Sequence, residues 1–175
     1  MKNESEPNPR KELEELGYDI VYKPHKEIAD YNAFYRVEYK GEKITCPVAE
    51  RWDIPMDEIW VSEKYEYYEK YILYHELNEI KYKADGFEGM DAHERALQED
   101  KVWEGDPKWE EFRREINIVS EELVIKIPGF DEKMFERIME NRPYFDMQEL
   151  KDVPYVEEKR FKKLKENFWC IIVDL

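Results

Sequence analysis

The stretch YHELNEIKYKADGFEGMDAH, from Tyr74 to His93, holds two of the three histidines in the chain, each beside acids. On a helix, His75 and Glu79 stand at i and i+4. Their Cβ atoms then lie about 5–6 Å apart on one face, close enough to share a metal ion. Glu76 lies about 100° around the helix from His75, where a carboxylate can act as general base beside such an ion. Two ligands one turn apart with a glutamate next to the first are the parts of metal-assisted hydrolysis. Zinc accepts carboxylate oxygen as well as imidazole nitrogen, and a carboxylate ligand also suits the harder ions iron and manganese. A third ligand must come from the following segment, MDAHERAL, which offers Asp91 and His93 on different faces. Histidine is the commoner metal ligand, which favours His93. The plain alternative is charged helix surface, with Lys83 pairing Glu79 one turn on.

These residues need two helices brought face to face. Tyr68, Ile72, Leu73, Leu77 and Ile80 recur at spacings of three and four, so a helix is expected from about Tyr65 to Ala84, with Gly86 as its stop. A second helix is expected from Met90 to Trp103. Upstream, Asn8-Pro9 reads as a cap and first helical position, and Gly17 as the end of that helix. YDIVYK (18–23), AFYRVEY (33–39), KITCPVA (43–49) and DEIWVS (57–62) read as short strands. The middle two flank the turn Lys40-Gly41-Glu42 as a hairpin, with Pro47 at an edge or a strand end. His25 reads as a surface loop residue.

Composition narrows the functional classes. Of 175 residues 42% are hydrophobic and 15% aromatic, enough for one or two small cores and too much for a disordered chain. Charged residues make up 41% and the net charge is −15, which opposes any general attraction to nucleic acid or anionic membrane. No run of 18 apolar residues exists, so no membrane partner is expected. MKNESEPNPRKE lacks the apolar core of a signal peptide. Cys46 and Cys170 are too few for a disulfide framework; with no export signal they point to a cytoplasmic location. Abundant Glu and Lys, with a single Thr (Thr45), is a thermophile-like bias.

Near Ile116 the text changes to short helices separated by IPGF, NRPYF and VPYV. Residues 117–175 carry 10 basic and 13 acidic side chains, against 18 and 30 in residues 1–116. Two domains are expected, 1–110 and 111–175. The terminal run FWCIIVDL (168–175) is expected to dock as a strand on the N-terminal sheet or to extend the last helix.

The order strand (EIWVS), polar link, helix bearing HELNE, then a helix with the pattern Asp91-Ala92-x-x-x-Ala96 resembles the minimal zincin metallopeptidases. These carry HExxH on the first helix, and the small members cleave phage-type repressors. The similarity covers about residues 57–100. It implies His75 as first ligand, Glu76 as catalytic base and Glu79 as second ligand, with glutamate where the family has histidine. Aligning the alanines makes Asp91 the third ligand, against His93.

The second half, from Ile116 to Phe168, resembles the tandem helix-hairpin-helix module of competence-type DNA-uptake proteins. Ile127-Pro128-Gly129, Glu136-Arg137-Ile138, Asn141-Arg142-Pro143-Tyr144-Phe145, Lys159 and Leu164 carry the likeness. The resemblance implies hairpin glycines that turn backbone N–H groups toward a phosphate at a helix N-terminus. IPGFDEK keeps Gly129 but has Asp131 where a second glycine belongs, and VPYVEEK has none. The residues expected to face nucleic acid are Gly129, Lys133, Arg160, Lys162 and Lys163.

Together these imply an α+β chain: a small antiparallel sheet with zincin-like helices, then an all-α tandem helix-hairpin-helix domain. The expected function is a metal-dependent peptidase-like protein, with zinc (or iron or manganese) as cofactor. Its expected partners are a protein substrate and DNA or a DNA-associated protein. The alternative is a non-enzymatic adaptor with a degenerate zincin-like half.

Overall fold

A computed structural model describes residues 6–28 and 31–173. The chain divides into two compact units, Met1–Glu104 and Gly105–Leu175. The division falls before the expected boundary at 110, so the helix Pro107–Phe112 opens the second unit.

In the first unit, helix α1 (Pro9–Glu15) starts where Asn8 Oδ1 accepts from the Lys11 N–H at 3.1 Å. Strands β1 (Asp19–Lys23), β2 (Ala33–Tyr39), β3 (Glu42–Thr45) and β4 (Glu58–Ser62) form a sheet in the order β1-β4-β2-β3. The β2–β3 hairpin turns on Lys40 and Gly41, both at positive φ (50° and 80°), which is the geometry of a two-residue type I′ turn. β4 pairs antiparallel with β2 and parallel with β1. The sheet is therefore mixed, which corrects the antiparallel expectation. Alternating apolar residues mark a strand and its faces, but the long connection that inserts β4 beside β1 decides its direction.

β3 stops at Thr45, short of the expected 49. Pro47 cannot donate to a ladder and instead opens helix α2 (Pro47–Arg51) at its first position. Phe34, Ala49, Ile54 and Ile28 build a core on that face of the sheet, with Trp52 and Trp60 packed against it. His25 is not a surface residue: it is buried, and its Nδ1 lies 3.0 Å from Ser62 Oγ.

Residues on the opposite face of β2 meet helix α3 (Glu69–Ala84), whose Tyr71, Ile72, Leu73, Leu77 and Ile80 are buried. A 3-10 turn over Glu63–Tyr68 precedes it, where a longer helix was expected. Burying each such side chain stabilises the fold by roughly 1.5–3 kcal/mol relative to exposure. α3 ends in a glycine-stopped turn. Gly86 sits at φ 95°, its N–H reaches Lys83 O (3.0 Å), and the Phe87 N–H reaches Tyr82 O (3.1 Å). Only a residue without a Cβ takes this conformation at little cost. The turn lays helix α4 (Gly89–Glu99) back against α3. At Asp100 the helix tightens into a 3-10 turn (Asp100–Trp103), where one continuous helix was expected.

The second unit is helical: α5 (Pro107–Phe112), α6 (Glu121–Ile125), α7 (Glu132–Glu140), a 3-10 turn over Met147–Asp152 and α8 (Glu158–Asn167). Two turns in it have the same build. Phe130 N–H bonds to Ile127 O (3.0 Å), and Val156 N–H to Val153 O (3.1 Å). Each has proline second and a positive φ third, 90° at Gly129 and 68° at Tyr155, as in a type II turn. The same 26-residue offset relates Ile138 to Leu164, both buried, and Asn141 to Asn167. Each asparagine donates to the carbonyl four residues back, at 2.8 Å.

Residues 168–173 neither extend the helix nor form a strand of the sheet. Phe168 is extended, and Trp169 bridges Glu115 inside the second unit, through Ile116 N–H to Trp169 O at 2.7 Å. Cys170 packs on that unit's core. The expectation for 174–175 lies outside the described residues.

Candidate metal centre

The reversal at Gly86 brings the sequence-predicted ligands together. His75 Nε2 lies 3.1 Å from His93 Nδ1 and 3.6 Å from Glu79 Oε2, and His93 Nδ1 lies 3.1 Å from the same oxygen. Tetrahedral ligands about 2.0–2.1 Å from a zinc ion stand about 3.3 Å from one another. The three donor atoms thus have the mutual spacing of a coordination face. Their set, two imidazoles and one carboxylate, suits zinc and also iron(II). His75 and Glu79 are mostly buried, with side chains 14% and 12% exposed, and His93 at 46% opens the cluster to solvent. Asp91, the alternative ligand, is not in the cluster. It lies exposed on α4, paired with Arg95 at 3.3 Å.

Two of the three donor residues, His75 and Glu79, are held by a second contact. His75 Nδ1 lies 2.8 Å from Asp100 Oδ2, which leaves Nε2 to face the other two ligands. Glu79 Oε1 accepts from Tyr35 Oη at 2.5 Å and from Lys83 Nζ at 2.8 Å, which leaves Oε2 to face the histidines. Lys83 also lies over the Tyr35 ring, 4.8 Å from its centre. Glu76, the expected base, is half-buried and has no hydrogen bond or ion pair among the described residues.

The charges couple strongly. Burial pulls the His75 imidazole down, but hydrogen bonds to Asp100 and Glu79 outweigh it and hold the pKa at about 10. Burial pushes Glu79 up, yet donors from His75, His93, Lys83 and Tyr35 keep it well below the ordinary carboxylate range. Glu76 is raised by burial and by the charge of Glu79. Burial and the same carboxylate raise Tyr35. A proton on His75 Nε2 occupies the position that a metal ion would take.

Sequence reasoning missed Asp100 and Tyr35. They lie 25 and 44 residues from their partners, in a separate turn and a strand, so no local spacing points to them. An acid closing the second helix was the only available signal for Asp100.

The residues expected to face nucleic acid are split. Lys163 Nζ donates to Pro128 O (2.6 Å), and Arg160 donates to Tyr155 O (2.9 Å) and Gly129 O (3.5 Å). These cations close the two turns. Asp131 Oδ1 accepts from the Met134 N–H at 2.9 Å and so fills the N-terminus of α7 where a phosphate would sit. Lys133 and Lys162 are exposed and have no partner group among the described residues, so they stay available for an external one.

Set against known proteins, the chain matches no family model, and no curated protein or solved structure resembles it closely enough to establish kinship. No helix among the described residues is long and apolar enough to cross a membrane.

Proposed function

We propose that the first unit is a zincin-like, metal-dependent hydrolase domain acting on a protein substrate, and that the second is a helix-hairpin-helix module that brings it to DNA or a DNA-associated protein. The single observation supporting the metal reading is the triangle of His75 Nε2, Glu79 Oε2 and His93 Nδ1, with sides of 3.1, 3.1 and 3.6 Å. These three residues hold the ion. A bound zinc, iron or manganese ion supplies Lewis acidity toward a substrate carbonyl. Glu76 takes and returns a proton at its carboxylate, a role suited to a raised pKa and to a side chain with no hydrogen bond or ion pair among the described residues. Lys83 and Tyr35 bond one oxygen of Glu79 and leave the other facing the two histidines.

The test is Glu76→Gln in the full chain, assayed for metal content and for hydrolysis of a fluorogenic peptide mixture. Retained metal with hydrolysis lost supports the enzyme. Metal bound equally by both proteins, with neither hydrolysing peptide, moves the function to the second reading, a non-enzymatic adaptor. That reading is favoured by Glu79, whose charge Lys83 and Tyr35 already meet within the protein. For the hairpin unit, the exposed Lys133 and Lys162 support a nucleic-acid contact, while the Asp131 cap favours a protein partner.

A further inference from the structure

Asp100 is a nearly buried carboxylate, 5% exposed, in a protein that carries most of its acids at the surface. Its Oδ2 meets His75 Nδ1 at 2.8 Å, and its Oδ1 is buried with no hydrogen-bond partner among the described residues. An unsatisfied buried carboxylate oxygen costs at least as much as an ordinary lost hydrogen bond, so the position has a cost that the fold alone does not explain. The placement is also well determined. Three residues on, Trp103 is buried edge-on against Tyr71 and Tyr74, with ring centres 5.3 Å apart in both cases. Tyr71, Tyr74 and His75 are i, i+3 and i+4 on α3 and share one face. The 3-10 turn from Asp100 to Trp103 lies along that face as a clamp, with the indole as anchor and the carboxylate on the imidazole.

We infer that Asp100 is the positioning residue of the centre: it holds the proton of His75 on Nδ1 and so commits Nε2 to the metal. This rests on the metal reading above. A histidine ligand has two ring nitrogens, and the partner of one decides which tautomer offers the other. With Asp100 accepting from Nδ1–H, the lone pair on Nε2 points at Glu79 Oε2 and His93 Nδ1. The carboxylate also makes the imidazole a stronger donor to a cation, and its negative charge offsets part of the charge of a divalent ion in a mostly buried site. Asp100 touches neither ion nor substrate, so it is not a catalytic residue.

The experiment uses the full chain as wild type, Asp100→Ala and Asp100→Asn. Cobalt(II) alone is the affinity probe, and nitrogen NMR of the zinc-loaded proteins reads the His75 ring. The expected result is one cobalt(II) per wild-type chain, with affinity about 10–100-fold lower in Asp100→Ala and a smaller loss in Asp100→Asn, which keeps an acceptor. Wild-type His75 shows a single pattern, protonated at Nδ1 and bound at Nε2, and Asp100→Ala shows a mixture. If Asp100→Ala does not fold, Asp100→Asn decides by the same two readouts. Wild-type binding with equal affinity in the variants overturns the inference and leaves the metal reading standing. Lower affinity with an unchanged His75 pattern also overturns it, because Asp100 then only supports the fold. Absence of cobalt(II) and zinc binding in the wild type overturns both.

Discussion

Charged side chains are used in opposite ways in the two units. At the α3–α4 corner they meet one another: His75, Glu79, His93, Asp100 and Lys83 converge within hydrogen-bonding distances, mostly out of solvent. Around the two type II turns they meet backbone: Asp131 caps α7, and Arg160 and Lys163 close turn carbonyls. A carboxylate on a free N–H or a lysine on a free carbonyl completes the hydrogen bonding of a fold. Ionisable groups held against one another perturb each other's protonation, which is the usual mark of a functional site. The first arrangement has the donor spacing of a metal centre, and the second mainly stabilises a domain.

That contrast can be broken in several ways, taken here from the largest expected effect. His93→Ala should abolish stoichiometric metal binding, while Asp91→Ala leaves it intact, as measured by titration with zinc. Equal losses would return Asp91 to the ligand set. Zinc at one hundred times its dissociation constant should stabilise the first unit by about 2.7 kcal/mol, seen as a shift in melting temperature that chelator reverses. Residues of the second unit should show no change in amide exchange.

The pH dependence has a definite sign. Without metal, His75 has a pKa of about 10 against an ordinary value of 6.5. Its stabilising contribution is complete below about 6.5 and is lost as pH rises toward 10. Denaturant melts of the metal-free protein should therefore weaken over that window, and His75→Gln should flatten the trend. Metal binding runs the other way and strengthens as pH rises, because the ion must displace a proton from His75.

Smaller effects are expected in the second unit. Asp131→Ala should cost about 1 kcal/mol through its lost cap, and Lys163→Ala about the same through one hydrogen bond. Metal binding should not change in either. Lys162→Glu should leave stability unchanged while weakening any salt-dependent binding of a DNA duplex, measured by fluorescence anisotropy across a salt series.

Legibility in the sequence followed the range of the interactions. His75 and Glu79 share one helical turn, and Gly86 announces the reversal that returns His93, so the meeting of these three side chains could be anticipated. The type I′ turn at Lys40-Gly41 and the Asn8 cap are equally local. Asp100 and Tyr35 depend on tertiary packing across 25 and 44 residues, and the parallel pairing of β1 with β4 depends on chain routing. His25 was misread because its neighbours in sequence are polar, while its partner Ser62 comes from a distant strand end. The terminal run FWCIIVDL has the apolar character of a sheet strand, yet its partner is Glu115 in its own unit. Hydrophobic pattern says that a segment is covered, not by what.

The most direct measurement is the elemental metal content of the purified protein, wild type beside His75→Ala, after expression with zinc, iron and manganese supplied. One equivalent per wild-type chain, absent from the variant, is the predicted result. No metal in either protein would contradict the account and leave the HELNE corner a buried network of hydrogen bonds.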